Sequence, residues 1–297
     1  MSRLSLLSLA TVFSLMAGLV AQSGATPDPV EAKLKRLDVR VKRDPTRPGN
    51  PVVEVRVFKL DTTDADLAAL ADLTECRKLD LHASKVRGTG LAALSALPLE
   101  ELRLSFSGLD NEGLKEVAKF VSLKRFDAMN ASKVTGDGAA ALATLKNLES
   151  LTLGQNFKHR DAAVAAALAG MAKLRSLDVT NSSAGDAAMK ALAGCPDLRV
   201  LKLYGSEVGD AGMEAVGGLK NLEDLYLSSR VTDTGIAKLS ELTELRHMSL
   251  YYGSRVTLPA LQKLPHLGKL ETLELKGAAN ITTGEARKAF PGVKVKP

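Results

Sequence analysis

Residues 208–227 read VGDAGMEAVGGLKNLEDLYL, and residues 231–250 read VTDTGIAKLSELTELRHMSL. The two stretches align without a gap, Asp210 with Asp233 and Leu225 with Met248. In each, apolar residues three apart predict a helix, and a closing triplet that alternates between apolar and polar residues predicts a strand. One such unit cannot bury its apolar side alone, so the sequence predicts that copies of it stack on one another.

The same pattern occurs ten times between residues 51 and 297. Its central strand residues recur every 23 to 26 positions, at Val55, Leu79, Leu102, Phe126, Leu151, Leu177, Leu201, Leu225, Met248 and Leu273. A period of this size with the pattern L-x-x-L-x-L predicts an α/β solenoid. Because the segment after each strand and turn is helical, we expect parallel strands on the inner, concave face and helices on the convex face.

The repeats resemble those of bacterial exported leucine-rich-repeat proteins with ribonuclease-inhibitor-like or GALA-type units of about 24 residues. The likeness rests on the two stretches quoted above, on VTGDGAAALATLKNLESLTL at residues 134–153, and on the entry segment VKRDPTRPGNPVVEVRV at residues 41–57. The resemblance implies a right-handed leucine-rich-repeat horseshoe that binds a protein without catalysis. It brings no catalytic residues to this chain.

The first 50 residues differ from the repeats. Arg3 precedes an apolar stretch over residues 4–20, and small residues follow as far as Ala25. This pattern predicts a cleaved signal peptide over residues 1–25 and export to the periplasm, cell surface or extracellular space. An uncleaved membrane anchor is the alternative, and no later segment is apolar enough to span a bilayer. Residues 26–50 are predicted to form an N-terminal cap and a proline-rich entry loop, and residues 51–297 the repeat domain, with about ten repeats and a C-terminal half-repeat.

Each predicted helix begins at a position where we expect a cap for that same helix, and where the residue is Asp, its carboxylate should accept hydrogen bonds from the first turn. These positions are Asp64, Gly88, Asn111, Gly136, Asp161, Asp186, Asp210, Asp233, Leu258 and Thr283. Leu258 is the exception, but Pro259 follows it, and proline is favoured at the first helical position. The column favours a structural role for its carboxylates over metal binding or catalysis. It also accounts for Gly88-Thr89-Gly90, which resembles a dinucleotide-binding glycine loop only until the repeats are aligned.

Composition and motifs argue against several classes of function. The net charge is +6, with 34 acidic residues interleaved among 40 basic ones, whereas a nucleic-acid binder concentrates one sign on a face. No histidine pair or Cys-x-x-Cys has metal-binding spacing, and no nucleophile elbow occurs. Cys76 and Cys195 replace core leucines five repeats apart, so we expect buried free thiols that cannot pair. The sequence therefore predicts no enzyme, no metal and no cofactor.

The tyrosines mark a candidate partner-binding surface. All four lie within residues 204–252. We expect three of them in outward strand positions on the concave face, where tyrosine is well suited to protein interfaces, although three adjacent exposed aromatics could also lack a role. The predicted partner-binding residues are Tyr204, Tyr226, His247, Tyr251, Lys202 and Asp224.

The N-terminal half of that face carries charges of alternating sign instead. They are Glu54, Arg56, Lys78, Asp80, Glu101, Arg103, Arg125 and Asp127. Alternation along neighbouring strands predicts salt bridges across strands. We do not expect a ligand to bind there.

These observations predict an exported, monomeric, non-catalytic module that recognises a protein partner through its concave face. Two alternatives stay open. A secreted effector or ubiquitin-ligase-type substrate adaptor is associated with GALA-type repeats, but no F-box-like segment is present in the sequence. A cell-envelope structural protein would instead associate with itself or attach to wall polymer.

Overall fold

The computed structural model describes residues 28–155, 161–250, 254–264, 269–278 and 280–297. Within these ranges, all strands belong to one sheet and follow one another in chain order. The first strand pairs antiparallel with the second, and every later pair is parallel. The strands are β1 Val39–Arg43, β2 Val52–Val57, β3 Lys78–Asp80, β4 Glu101–Arg103, β5 Arg125–Asp127, β6 Ser150–Thr152, β7 Ser176–Asp178, β8 Val200–Lys202, β9 Asp224–Tyr226, β10 His247–Ser249, β11 Thr272–Glu274 and β12 Lys294–Lys296.

The strand register confirms the alignment of the repeats. Each predicted central residue pairs with the central residue of the next strand, for example Leu201 with Leu225 and Leu225 with Met248. These three side chains are fully buried. The apolar residues of successive repeats therefore stack into one continuous core.

A helical segment follows most strands and packs on the buried side of the sheet. The two earliest repeats use 3₁₀-helices, Asp64–Leu70 and Thr89–Leu94, and further 3₁₀ turns lie at Lys35–Leu37, Ala140–Thr144 and Leu192–Gly194. The α-helices are α1 Pro29–Lys33, α2 Asn111–Val117, α3 Gly136–Ala139, α4 Asp161–Leu168, α5 Asp186–Ala191, α6 Asp210–Gly217, α7 Asp233–Ala237, α8 Leu258–Gln262 and α9 Thr283–Ala289. Packed helices need about 8–10 Å of width and strands only about 4.8 Å, so the helical side is the convex one.

The N-terminal cap covers the open end of the core. Leu34, Leu37 and Val39 are buried against the first repeat, while the remaining side chains of β1 are less buried. Arg43 holds the cap together, because its guanidinium pairs with the carboxylate of Asp28 and its Nη1 donates to the carbonyl of Asn50 at 2.8 Å. Residues 28–43 thus close the sheet with an antiparallel strand.

The prediction that each acidic residue caps its own helix was wrong, because its hydrogen-bond partners lie in the next repeat. Asp233 is the first residue inside α7, and Thr232 is the N-cap. The Asp233 carboxylate accepts from the backbone N–H of Thr257 at 2.7 Å, one repeat further along the chain. Asp161 acts in the same way, accepting from the N–H groups of Gly185, Ala187 and Ala188 at 2.8 Å. The acidic column therefore joins each repeat to the next and does not cap its own helix.

Five of the ten cap positions are followed two residues later by a glycine that this close stacking requires: Gly90, Gly113, Gly138, Gly212 and Gly235. A Cβ on Gly113 would lie 1.9 Å from the carbonyl oxygen of Arg87, and one on Gly235 would lie 2.4 Å from Oδ1 of Asp210. No side chain fits there. The glycine column therefore reflects packing between neighbouring repeats.

Cys76 and Cys195 are buried and unpaired, as the sequence predicts. Burial raises the pKa of each thiol to about 11. Both cysteines therefore serve as small apolar core residues.

Candidate functional site

The concave face consists of the first and third residue of each short strand, because the second residue points into the core. Strand pairing aligns these residues into two columns that run along the solenoid. In the C-terminal part, Asp224 pairs with His247 in one column, and Lys202 pairs with Tyr226 in the other. Side chains from three successive strands, β8 to β10, thus share one continuous surface.

The N-terminal part of this face is a charge lattice, formed by the eight charged residues of β2–β5 named above. Lys78 lies 3.5 Å from Glu101, and Arg103 lies 3.4 Å from Asp80 and 3.7 Å from Asp127. These pairs confirm the predicted salt bridges across strands. Because the charges neutralise one another, the lattice offers no net charge to a ligand.

The C-terminal part holds an aromatic cluster, which we define as Tyr204, Tyr226 and His247. The Tyr204 and Tyr226 rings meet edge to face with centroids 5.3 Å apart. The His247 ring lies 4.9 Å from that of Tyr226. All three side chains are half-buried. The structure therefore brings together three of the predicted contact residues.

Lys202 and Asp224 border this cluster. Lys202 Nζ lies 5.7 Å from the centroid of the Tyr226 ring and 3.6 Å from the carboxylate of Asp178. The lysine is thus held by an aromatic ring and an acid at once. Tyr251, the remaining predicted contact residue, lies outside the described residues.

The position of Tyr204 differs from the prediction. β8 ends at Lys202, so Tyr204 stands in the turn beyond the strand. From there its hydroxyl reaches across the repeats to hydrogen bond with the hydroxyl of Ser249, the last residue of β10. The physical reason is the length of the tyrosine side chain, which from the turn after β8 extends across the neighbouring strand to Ser249.

Sequence reasoning missed three polar residues that complete the cluster. Ser249 Oγ donates to Glu274 at 3.2 Å, and Lys296 Nζ donates to the same carboxylate at 2.7 Å. Lys296 lowers the pKa of Glu274 through this hydrogen bond. The alignment of the repeats could have identified these residues, since Ser249, Glu274 and Lys296 continue the column that contains Tyr226.

Burial changes the electrostatics at the centre of the cluster. Burial is the main cause that raises the pKa of Asp224, and it also raises the pKa of Tyr226. The Nε2 atom of His247 is buried without a hydrogen bond in the described part of the chain, and it lies 3.7 Å from Glu274. A partly dry, aromatic surface with polar groups at its edge is suited to binding another molecule.

No group of three or more His, Cys, Asp or Glu side chains is placed to hold a metal ion in the ranges that the structure describes. In those same ranges, no helix has the length and apolar character needed to cross a bilayer.

Comparison with known proteins gives similarity in structure alone. The chain matches no protein-family model and no curated protein sequence. Among solved structures, it is similar to the leucine-rich-repeat ectodomain of the plant membrane receptor kinase GASSHO1/SCHENGEN3 from Arabidopsis thaliana, solved in complex with CASPARIAN STRIP INTEGRITY FACTOR 2. The identity is 21% and the TM-score 0.54, over 79% of this chain and 28% of that chain.

Two internalins of Listeria monocytogenes also match. Internalin C2 is 20% identical with a TM-score of 0.46, over 83% of this chain and 97% of that chain. Internalin F is 16% identical with a TM-score of 0.41, over 82% and 92%. The similarity to the plant ectodomain shows that this chain has the α/β fold of a leucine-rich-repeat solenoid. The match spans little more than a quarter of the length of the plant chain.

Proposed function

We propose that this protein is a non-catalytic binding module that recognises a protein partner through its concave face. The observation that carries the proposal is the contrast along that face. The charges of β2–β5 are paired with one another, whereas β8–β10 present the aromatic cluster. Half-buried tyrosines offer large contact area at low conformational cost and keep a hydrogen-bonding hydroxyl.

The likeness to a receptor ectodomain solved in complex with CASPARIAN STRIP INTEGRITY FACTOR 2 supports a binding role for a solenoid of this kind. Residues 1–25 support export, so we place the protein in the periplasm, at the cell surface or in the extracellular space. We propose that it acts as a monomer, since residues 28–43 cover the N-terminal end of its core.

The test is capture of a partner by the purified, immobilised protein from secreted and envelope fractions of its own organism. Tyr226→Ala removes the ring that contacts Tyr204 and His247. Thr152→Ala is the matched control, because Thr152 occupies the same strand position on β6, away from the aromatic cluster. Circular dichroism checks that both variants fold.

We expect one protein to bind with fixed stoichiometry to the wild type and to Thr152→Ala, and at least about ten-fold more weakly to Tyr226→Ala. Equal capture by all three proteins would refute the aromatic cluster as the contact surface. No partner, together with oligomers that grow with concentration in sedimentation, would favour the cell-envelope structural protein instead.

A further inference from the structure

One carboxylate on the concave face differs from all the others that the structure describes. Seven acidic residues occupy outward strand positions: Glu54, Asp80, Glu101, Asp127, Asp178, Asp224 and Glu274. Six of them have a cation within 4.0 Å, at the following closest distances: 2.7 Å for Glu54 and Arg56, 3.4 Å for Asp80 and Arg103, 3.5 Å for Glu101 and Lys78, 3.7 Å for Asp127 and Arg103, 3.6 Å for Asp178 and Lys202, and 2.7 Å for Glu274 and Lys296. Asp224 has neither an ion pair nor a side-chain hydrogen bond within the described ranges.

The neighbours of Asp224 explain why it stays unpaired. In its own column it stands between Val200, which is apolar, and His247. Lys202, on the adjacent strand, is directed to Asp178 on its other side. His247 places its Nε2 atom 3.7 Å from Glu274 instead. The groups that could neutralise Asp224 are thus directed to other acids.

A half-buried carboxylate without an ion pair in the described ranges is costly, because it has lost water and the more distant charges of His247 and Lys202 offset only part of that loss. Burial raises the pKa of Asp224 accordingly. A cation supplied by a bound partner would relieve this cost without breaking any bond inside the protein. Tyr226 lies on the same strand as Asp224, and His247 is the strand partner of Asp224. The two rings contact each other at 4.9 Å and form one aromatic surface for the same ligand.

We propose that Asp224 is the docking point for an arginine side chain of the protein partner, with the contacting rings of Tyr226 and His247 as the adjoining aromatic surface. This inference rests on the proposed function and adds the chemistry of the partner. Arginine fits because its planar guanidinium can donate two hydrogen bonds to one carboxylate while stacking on a ring. An ammonium group provides only a point charge.

The experiment needs no identified partner. The purified protein is titrated with N-acetyl-arginine amide, and NMR follows the His247 imidazole and the Tyr226 ring protons. The citrulline analogue has nearly the same shape without the charge, and the lysine analogue has the charge without the planar group. Asp224→Asn removes the charge from a side chain that makes no internal bond, so the fold is preserved. Asp80→Asn is the control, since Asp80 is already paired with Arg103.

We expect saturable shifts with the arginine probe for the wild type and for Asp80→Asn. The affinity should fall at least ten-fold for Asp224→Asn, and likewise for the citrulline and lysine analogues. Unchanged affinity in Asp224→Asn, or equal binding of either analogue, would overturn the inference.

A captured partner separates the two proposals. If Tyr226→Ala loses the partner while Asp224→Asn keeps it at full affinity, the binding function stands and arginine docking at Asp224 fails. If neither variant changes capture, both fail. If the arginine probe binds at Asp224 but no partner is captured, the site chemistry stands and the proposed function fails.

Discussion

Asp210 links two repeats, and its removal should weaken the solenoid at a defined place. It is the first residue of α6. Its Oδ1 atom accepts from the backbone N–H of Thr232 at 2.8 Å and of Gly235 at 3.1 Å, and its Oδ2 atom accepts from the Thr232 hydroxyl at 2.7 Å. The Asp210 side chain therefore accepts hydrogen bonds from backbone N–H groups at the start of the helix in the next repeat.

Asp210→Ala removes all three hydrogen bonds. Loss of a capping side chain costs about 0.5–2 kcal/mol, and hydrogen bonds to a charged group are stronger than average. Because the carboxylate is partly exposed, we expect the free energy of unfolding to fall by about 2–3 kcal/mol in total. For a chain of this size that corresponds to a melting temperature lower by about 4–5 °C.

Asp210→Asn should cost less than about 1 kcal/mol, because the protein already contains that arrangement. Asn111 accepts from the backbone N–H of Thr135 at 2.8 Å through Oδ1, and its amide nitrogen donates to the Thr135 hydroxyl at 2.7 Å. An asparagine at 210 can bond with Thr232 in the same way.

Urea and thermal unfolding followed by circular dichroism measure these differences, and hydrogen exchange locates them. In Asp210→Ala, protection should fall first at the amides of Thr232 and Gly235. The reasoning is refuted if Asp210→Ala unfolds within about 0.5 kcal/mol of the wild type, or if asparagine is as harmful as alanine.

Three further predictions follow from packing and charge. Gly113→Ala would place a Cβ atom 1.9 Å from a backbone carbonyl of the preceding repeat, so we expect a loss of about 3 kcal/mol in urea unfolding, whereas the control Gly284→Ala, with nothing within 4 Å, should be neutral. Burial raises the pKa of Asp224 above 3.8, so the folded protein binds more protons and its stability falls as pH rises from 3.8 through the raised value. Asp224→Asn should therefore be more stable than the wild type at pH 7 and equal to it below pH 3.8. A constant difference at all pH values would contradict this. Cys76 and Cys195, whose pKa is raised to about 11, should react with a thiol reagent at pH 8 only after unfolding, and fast labelling of the native protein would show that they are accessible.

The strands and the core could be predicted from the sequence because every repeat contains the same local pattern of apolar residues. Apolar alternation places Leu201, Leu225 and Met248 inside, and the constant spacing sets them in register. The capping partners could not be predicted in this way. Whether Asp233 serves its own helix or the next one depends on how closely two repeats stack, which is a distance between segments and leaves no local signal.

The candidate site, too, could be predicted from the sequence only in part. Alternation with period two places Lys202, Asp224, Tyr226 and His247 on one face, because side chains at strand positions point to one side or the other. Which neighbouring group each of these side chains contacts depends on the tertiary structure.

The sequence by itself therefore determined the solenoid, the buried columns and the face that carries the tyrosines. Only the tertiary structure decided that Tyr204 bonds to Ser249 two strands away and that Lys202 turns to Asp178. Among the residues that the structure describes, it also left Asp224 without an ion pair. Periodicity fixes the direction of a side chain, but its length, its burial and competition among neighbouring charges decide which group it meets.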